Sequence, residues 1–419
     1  MAKMMVDDVF GQDASENPKS YIKREIETNF KAALTNRAFE AIVVYGTSKQ
    51  GKSSLRRSAL PDTQCTFFGC SAGLTRQALY QGILNKVHAV GRTSTSRSSQ
   101  TEGSGKLSLN PLSWFGGEVS ISRSRGRGET REDVPIDYTA ASAVAECYLR
   151  AAGRRPIVLD NFHYAGLEAQ RELATDIRAF GERGIKWVIF GTWAAEDYLE
   201  RLNSDLGGRI KTLSIEPWLP EDLARVLATG EKLLRIKFAN TIRESIISRS
   251  AGNVALLQVA TQRYLHACDV SERGWRLTTL IEMAPLTEVF RKIASERIAQ
   301  TTNLFRQIAD VGERTAKGRT RMYWLVRAML ESQQITNAAG IRVNQLLGAT
   351  TALLAKEGVA LTLDAKIAGR LIKHDLQHTQ ERMQTPVIAY DEMTDSVRVL
   401  DAWTLFTLRR FRVDIAAAL

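Results

Sequence analysis

The sequence predicts an α/β core, a helical unit after it, and a C-terminal region of helices and strands. Three observations support this prediction. Between residues 41 and 215, short apolar runs alternate with helical patterns, which is typical of a parallel sheet with helices on both faces. From residue 216 to about residue 335 the pattern is helical only. Near the C-terminus, three helical patterns precede two short strand patterns at 387–390 and 397–400.

The first apolar run, Ala41–Tyr45, leads into the most specific pattern of the chain. Gly46, four further residues and Gly51-Lys52-Ser53 complete the strand–GxxxxGK[ST]–helix pattern of a phosphate-binding loop. In such a loop the lysine reaches the β- and γ-phosphates and the serine is a Mg²⁺ ligand. We therefore expect a nucleotide and Mg²⁺ to bind here. The expected nucleotide contacts are Gly46, Thr47, Ser48, Lys49, Gln50, Gly51, Lys52, Ser53 and Ser54.

An amphipathic helix is predicted before this strand, over residues 21–34, because apolar side chains recur there every fourth residue. The segment Ser-Tyr-Ile-Lys-Arg-Glu at 20–25 is similar to a box with which many nucleotide switches place an arginine near the nucleotide. Arg24 is therefore either a nucleotide contact or part of a packing helix with a solvated basic face.

Four more strands are predicted after the loop, at 64–70, 155–160, 186–192 and 210–215. Helices are predicted at 75–90, 138–152, 167–183 and 195–206. Since parallel strands end at one edge of the sheet, nucleotide is expected at that edge. Asp160 ends an apolar strand about a hundred residues after the loop, where the second nucleotide motif places an acid that holds Mg²⁺ through water.

Residues 91–132 form an insertion rich in Ser, Gly and Arg. Two alternating stretches within it predict an exposed β-hairpin. The insertion either contacts nucleic acid or a neighbouring subunit, with Trp114 and Phe115 as stacking residues, or is a solvated surface loop. The candidate nucleic-acid contacts in it are Arg123, Arg125 and Arg127.

The composition excludes some classes of protein. The net charge of +11 suits an anionic partner, although nucleotide binding alone also requires cations. The four cysteines form no CxxC pair, so neither a disulfide framework nor a zinc site is indicated. No apolar run has membrane-spanning length, and the first residues carry acids where a signal peptide is apolar, so we expect a cytoplasmic protein without membrane contact.

The C-terminal region has the outline of a winged helix. Predicted helices at 319–332, 340–357 and 365–382 precede the two strand patterns and the turn between them. Lys366, Arg370 and Lys373 lie on one face of the third helix, as a DNA-recognition helix would require. A solvated helix face in a protein-interaction module is the alternative.

Several of these segments together resemble the STAND and initiator-type branch of AAA+ ATPases. They are GTSKQGKSSLRR, IVLDNFHY, FGTW, SRSAGNVALLQVATQRYL and VIAYDEMTDSVRVLDAWTLF, within residues 20–412 but without the insertion. The resemblance implies that Lys52, Ser53 and Asp160 bind phosphate and Mg²⁺, that Thr192 senses the γ-phosphate, and that Arg209, with Arg201 in reserve, is an arginine finger. The implied division is 1–40, a P-loop ATPase core at 41–215, a helical lid at 216–284, and a linker with winged helix at 285–419.

Two departures from the family pattern bear on activity. Asn161 stands where an acid usually polarises the attacking water, so hydrolysis is expected to be slow unless His163 substitutes. Initiator-type relatives carry an arginine after the motif at Gly252-Asn253, whereas here Val254, Ala255 and Leu256 follow. In this respect the chain resembles STAND proteins more than initiators.

Three functions remain open at this stage. The first is an ATP-dependent switch that self-associates with nucleotide and works with a separate trigger or effector protein, in signalling or antiphage defence. The second is a DNA-binding loader or initiator. The third is a nucleotide-binding scaffold without turnover.

Overall fold

The computed structural model describes residues 3–11, 17–71, 73–89, 93–94, 132–133, 136–192, 197–312, 314, 318–337, 340–361, 363–376, 387–391 and 394–419. The predicted hairpin of the insertion, with Trp114, Phe115, Arg123, Arg125 and Arg127, lies outside these residues. At the two ends of the insertion, residues 93–94 and 132–133 pair as short antiparallel strands.

Five parallel strands form the central sheet, as predicted. They are β1 Ala41–Tyr45, β2 Thr66–Gly69, β3 Ile157–Asp160, β4 Trp187–Gly191 and β5 Ile210–Ser214. Their order is β2-β3-β4-β1-β5. The strand before the phosphate-binding loop therefore lies beside β4, and β4 lies beside the strand that ends in Asp160. This order brings the three strand ends to one edge of the sheet.

The helices around the sheet agree with the predictions except near their ends. They are α2 Glu25–Thr35, α3 Lys52–Ala59, α4 Arg76–Lys86, α5 Ala141–Ala152, α6 Leu167–Gly181 and α7 Tyr198–Leu202. A short helix that was not predicted, α1 Val6–Phe10, precedes them and packs with the lid instead. The helix predicted at 21–34 begins only at Glu25 because Arg24 is extended. The helix predicted at 195–206 stops at Leu202 because Asn203 is extended and caps the short 3₁₀ turn that follows.

The sheet is buried on both faces. In β4, Trp187 and Ile189 pack into one apolar cluster, whereas Val188 and Phe190 pack into the cluster on the opposite face. This alternation follows from the two-residue repeat of a strand. Burial on both faces explains why the strand reads as a continuous apolar run.

The lid helices are α8 Pro220–Leu234, α9 Asn240–Ser250 and α10 Val254–Ala267. The prediction that this part is helical only is wrong, because β6 Ile236–Phe238 and β7 Thr278–Leu280 pair in parallel. Three-residue strands are too short to produce a sequence period. Residues of α1 pack in the same core, where the Phe10 ring occupies the space a Cβ on Gly230 would need.

The C-terminal region continues with helices and an antiparallel sheet. Its elements are α11 Met283–Ser295, α12 Ile298–Ala309, α13 Arg321–Glu331, β8 Ile341–Arg342, α14 Val343–Lys356, α15 Ala365–Arg370, β9 Ile388–Asp391, β10 Ser396–Val399 and α16 Ala402–Ala417. The strand order is β8-β10-β9. A π-helical turn, Leu371–Leu376, continues α15, and the rest of the helix predicted to 382 lies outside the described residues.

Two of these elements were not predicted. Strand β8 has two residues and carries no periodic signal. Helix α16 connects two cores: Trp403 and Phe406 pack with the lid helices, whereas Leu408 and Ile415 pack with the C-terminal helices. The C-terminal region is thereby attached directly to the lid.

Candidate nucleotide-binding site

The phosphate loop, residues 46–53, has the backbone that its sequence predicts. Gly46, Lys49 and Gly51 have φ angles of 145°, 62° and 88°. A Cβ on Gly46 would lie 2.4 Å from the Ile215 side chain, so only glycine allows the loop to pass β5 this closely. Gly51 is the N-cap of α3. The first-turn N–H groups of α3 have no acceptor within the helix, so they form the positive end of an anion site.

Lys52, the first residue of α3, is buried inside the loop. Its ammonium donates to the carbonyl oxygens of Gly46 at 2.8 Å and Thr47 at 2.7 Å. Burial lowers the pKa of Lys52 to about 8, although the nearby carboxylates of Glu216 and Asp160 act in the opposite direction. A phosphate beside this ammonium would favour its charged form.

Asp160 and Asn161 lie at the end of β3. Burial raises the pKa of the Asp160 carboxyl group, while the Asn161 N–H, at 3.0 Å, and the nearby cations of Arg56 and Lys52 favour its ionised form. Asn161 has a φ of 57°, in the left-handed region that asparagine tolerates. The backbone therefore turns sharply here and brings Asn161 into the wall of the same cavity as Asp160.

A hydrogen bond connects Thr192, which directly follows β4, to His163. The buried Thr192 donates its backbone N–H to Nδ1 of His163 at 3.2 Å. Burial lowers the pKa of His163 to about 4, with the Lys52 charge as a smaller cause. A neutral imidazole that accepts at Nδ1 carries its proton on Nε2. His163 is therefore a donor toward the cavity rather than a base.

These groups line one cavity of about 360 Å³. Its wall includes Ser48, Lys49, Gly51, Lys52, Ser53 and Ser54 of the loop, Asp160, Asn161, His163 and Thr192 from the strand ends, and Pro18, Ile22, Trp218, Val226, Val254, Ala255 and Gln258 from the N-terminal segment and lid. The strand order thus brings together Ser53, Asp160 and Thr192, which are far apart in the sequence.

The hinge segment, residues 216–218, binds the loop from the side of the lid. Glu216 accepts hydrogen bonds from the Thr47 N–H, at 2.8 Å, and from the Thr47 hydroxyl. Trp218 donates its indole N–H to the Gln50 carbonyl at 3.1 Å. Our sequence interpretation missed both residues, although their place directly after a parallel strand was a usable signal.

Arg24 belongs to this hinge rather than to the nucleotide cavity. Its guanidinium donates to the carbonyls of Ile215 and Pro217 and to the Asp222 carboxylate, and lies 4.1 Å from the centre of the Trp218 ring. Arg24 is therefore not a nucleotide contact within the described residues, and it is not part of a solvated helix face either, because it precedes α2 and its side chain is paired and mostly buried.

Helix α16 reaches the loop from the C-terminal region. The Lys49 ammonium lies 5.4 Å from the centre of the Trp403 ring, and the Arg297 guanidinium lies 4.0 Å from it. Burial lowers the pKa of Lys49, and the Arg297 charge adds to this effect. Two cations and an indole therefore meet beside the phosphate loop, within range of the charge of a bound nucleotide.

The remaining predicted site residues lie elsewhere. Arg209 precedes β5, at the end of the sheet opposite the loop, and pairs with Glu40 at 2.8 Å. Arg201 pairs with Asp197 at 2.9 Å. Neither arginine belongs to the cavity of its own chain, and a role toward a neighbouring subunit stays a prediction. Lys366, Arg370 and Lys373 are exposed on α15 and its continuation.

Comparison with known proteins supports the fold. The structure is similar to a Walker-type ATPase of Pyrococcus abyssi, with a TM-score of 0.55 and 14% identity over 93% of this chain and 96% of that chain. It also matches Cdc6p of Pyrobaculum aerophilum, with a TM-score of 0.41 and 13% identity over 99% of each chain. A RuvB variant of Thermotoga maritima matches with a TM-score of 0.40 and 14% identity over 90% of this chain and 92% of that chain. Both TM-scores are too low to support a conclusion about the fold. No protein-family profile and no curated protein sequence matches the chain. The chain has the P-loop NTPase α/β fold.

Proposed function

We propose that the protein is an ATP-binding and slowly ATP-hydrolysing switch of the AAA+ type. The single observation that carries this proposal is the cavity at the sheet edge, which is lined by the buried Lys52 together with Ser53 and Asp160, the residue types that triphosphate and Mg²⁺ require. Residues from the lid line the same cavity, so a bound nucleotide would contact both the core and the lid.

The donor set also fits Mg²⁺. Among the described residues no cluster of three or more His, Cys, Asp or Glu side chains is suited to a metal. Mg²⁺ in nucleotide sites uses one or two carboxylates together with the substrate phosphates and water, so such a cluster is not required. The Ser53 hydroxyl and the Asp160 carboxylate would hold the ion, which would neutralise charge on the β- and γ-phosphates.

Slow hydrolysis follows from the residues around Asp160. The Asn161 amide can orient a water molecule but cannot take its proton. His163 cannot take that proton either in the tautomer that accepts the Thr192 N–H. We therefore expect Asn161→Asp to raise the rate of ATP turnover, and an unchanged rate would mean that this position does not limit hydrolysis.

Contacts on both sides of the loop support the switch. The hinge segment bonds to Thr47 and Gln50, and α16 reaches Lys49 through Trp403. A nucleotide that displaced the loop would also shift the lid and the C-terminal region, because both contact the loop. We expect ATP to change the angle between core and lid and to drive self-association.

The direct test is equilibrium binding and turnover of Mg-ATP by the full chain, with Lys52→Ala as the comparison. Loss of the buried ammonium should weaken ATP binding about 100-fold, because it removes charge-assisted bonds to phosphate. Sedimentation with and without ATP reports self-association. Equal ATP affinity in the two proteins would contradict the proposed nucleotide site. A protein that stays monomeric under all nucleotide conditions would contradict the proposed self-association.

DNA binding by the C-terminal region is a second candidate. We propose that α13, β8, α14, α15, β9 and β10 form a winged helix, whose third helix carries the cations. Lys366 and Arg370 are exposed, and Lys373 is exposed with its ammonium 5.1 Å from the centre of the Tyr390 ring. Such a face could follow a DNA backbone.

The test is duplex affinity as a function of salt. Changing Lys366, Arg370 and Lys373 to Ala should weaken binding and make the salt slope shallower by about 1 for each phosphate that the variant no longer neutralises. The matched control changes three exposed cations outside the C-terminal region, Lys23, Arg171 and Lys211, to Ala, with the same change in net charge. Equal effects of the two triple variants would show that only net charge matters.

A further inference from the structure

The lid wall of the nucleotide cavity differs from the loop wall in being apolar. Val226, Val254 and Ala255 contribute to it from α8 and α10, and Ile22 contributes from the N-terminal segment. All four are buried. A wall of this kind suits the flat, mostly apolar faces of a nucleobase rather than its charged phosphates.

Gln258 is the one polar side chain that α8 and α10 contribute to the cavity, and Ser20 and Tyr21 are polar residues of the N-terminal segment that line it. Gln258 lies one helical turn after Val254 on α10, lines the cavity and is only 9% exposed. Its amide makes no hydrogen bond to any of the described residues, unlike the next glutamine of the same helix, Gln262, which donates to Asp7 at 2.7 Å. The donor and the acceptor of Gln258 are therefore open to a ligand that occupies the cavity.

We infer that Gln258 hydrogen-bonds the edge of the nucleobase and makes the site selective for adenine over guanine. This inference rests on the proposed nucleotide function. It adds a selectivity that the phosphate loop cannot supply, because the loop contacts phosphates, which are the same in ATP and GTP. An amide offers one acceptor beside a donor, which matches the neighbouring donor and acceptor on an adenine edge.

Guanine fits this wall less well. Its corresponding edge carries three polar groups, O6, N1–H and the 2-amino group, and one amide can pair with only two of them. Asp160 is the single carboxylate among the described residues that line the cavity, and it belongs to the metal end. No carboxylate of the described residues at the base end would therefore accept from the N1–H and 2-amino groups of guanine together, which favours adenine by roughly 10-fold.

The experiment measures the affinity of ATP, GTP and inorganic tripolyphosphate by competition against a fluorescent ATP. Tripolyphosphate reports on the loop alone because it has no base. The full chain is compared with Gln258→Leu, Gln258→Glu and the control Gln262→Leu. Replacing a buried amide by leucine in an apolar wall should not impair folding, and thermal melting verifies this for each variant.

The expected pattern is specific to a contact with the base. Wild type binds ATP more tightly than GTP, and Gln258→Leu weakens ATP roughly 10-fold but leaves tripolyphosphate unchanged. Gln258→Glu shifts the ratio toward GTP, because a carboxylate accepts from both N1–H and the 2-amino group. Gln262→Leu behaves as wild type.

Two results would overturn the inference while leaving the proposed function intact. One is equal affinity of wild type for ATP and GTP. The other is a decrease in ATP and tripolyphosphate affinity to the same extent in Gln258→Leu, which indicates a general structural role. If wild type binds none of the three ligands, the proposed nucleotide function itself fails.

Discussion

The two walls of the cavity are built in different ways. The loop wall is one continuous segment, residues 48–54, whose lining residues are glycine, serine and lysine. The lid wall consists of residues from three separate segments: α8 and α10, apolar there except for Gln258, and the N-terminal segment, which contributes Ile22 with the polar Ser20 and Tyr21. In the proposed nucleotide complex, the phosphates would contact the loop wall and the base would contact the lid wall. Mutations can therefore test the two contacts separately.

The largest expected effect lies on the loop wall. Gly46→Ala puts a methyl group 2.4 Å from the Ile215 side chain, at a φ of 145°. We expect nucleotide binding to be abolished and the free energy of unfolding to fall by about 2–4 kcal/mol. Gly69→Ala is the control, because no heavy atom lies within 4 Å of its added Cβ. Chemical denaturation of both variants checks this, and equal decreases would contradict it.

The next effect is the pH dependence of ATP affinity. The pKa of Lys52 is about 8, so the ammonium loses its proton as the pH rises above that value. A bound phosphate raises this pKa, so binding above pH 8 requires proton uptake and ATP affinity falls by up to about 10-fold per pH unit. Calorimetric titration between pH 7.5 and 9.5 should show this for wild type. Lys52→Arg, which stays charged, should give a flat profile, and parallel slopes would refute the assignment.

A smaller effect is expected at the junction of the two walls. Trp218→Phe keeps an aromatic ring in the cavity but removes the indole N–H that donates to the Gln50 carbonyl. We expect a cost of about 1 kcal/mol in unfolding free energy, because one buried hydrogen bond is removed. We also expect a weaker response of self-association to ATP. An assembly response identical to wild type would mean that this bond does not connect loop and lid.

The smallest expected effect concerns His163. Its pKa is lowered to about 4, whereas the unfolded chain takes up the proton near pH 6.5. Stability therefore decreases as the pH falls from 6.5 toward 4. Between pH 7 and pH 5 wild type should lose about 1 kcal/mol more than His163→Gln, after allowance for solvent screening. Denaturant unfolding of both proteins at the two pH values measures this difference, and equal decreases would exclude a buried neutral imidazole.

The same contrast explains how much could be predicted from the sequence. The loop and the end of each core strand follow from local patterns, so Lys52, Ser53, Asp160 and Thr192 could be placed at one sheet edge. Glu216, Trp218, Gln258 and Trp403 carry no motif, and their positions depend on how remote elements pack. Strands of two or three residues, such as β8, give no period that could be detected.

Only part of the C-terminal prediction could be made from local signals. The three helices and the hairpin have clear patterns, whereas α16 was missed although it joins the lid to this region. Its position beside Lys49 depends on tertiary packing. Among the described residues, no helix has the length and apolar character needed to span a membrane.

The central claim is that one nucleotide is bound jointly by the loop, the hinge segment and the lid. Hydrogen–deuterium exchange of the full chain with and without Mg-ATP tests it most directly. The account predicts slower exchange in residues 46–54, 216–220 and 254–258 together, with a change also at 401–407, and none of these changes in Lys52→Ala. Protection confined to residues 46–54, or no protection at all, would contradict it.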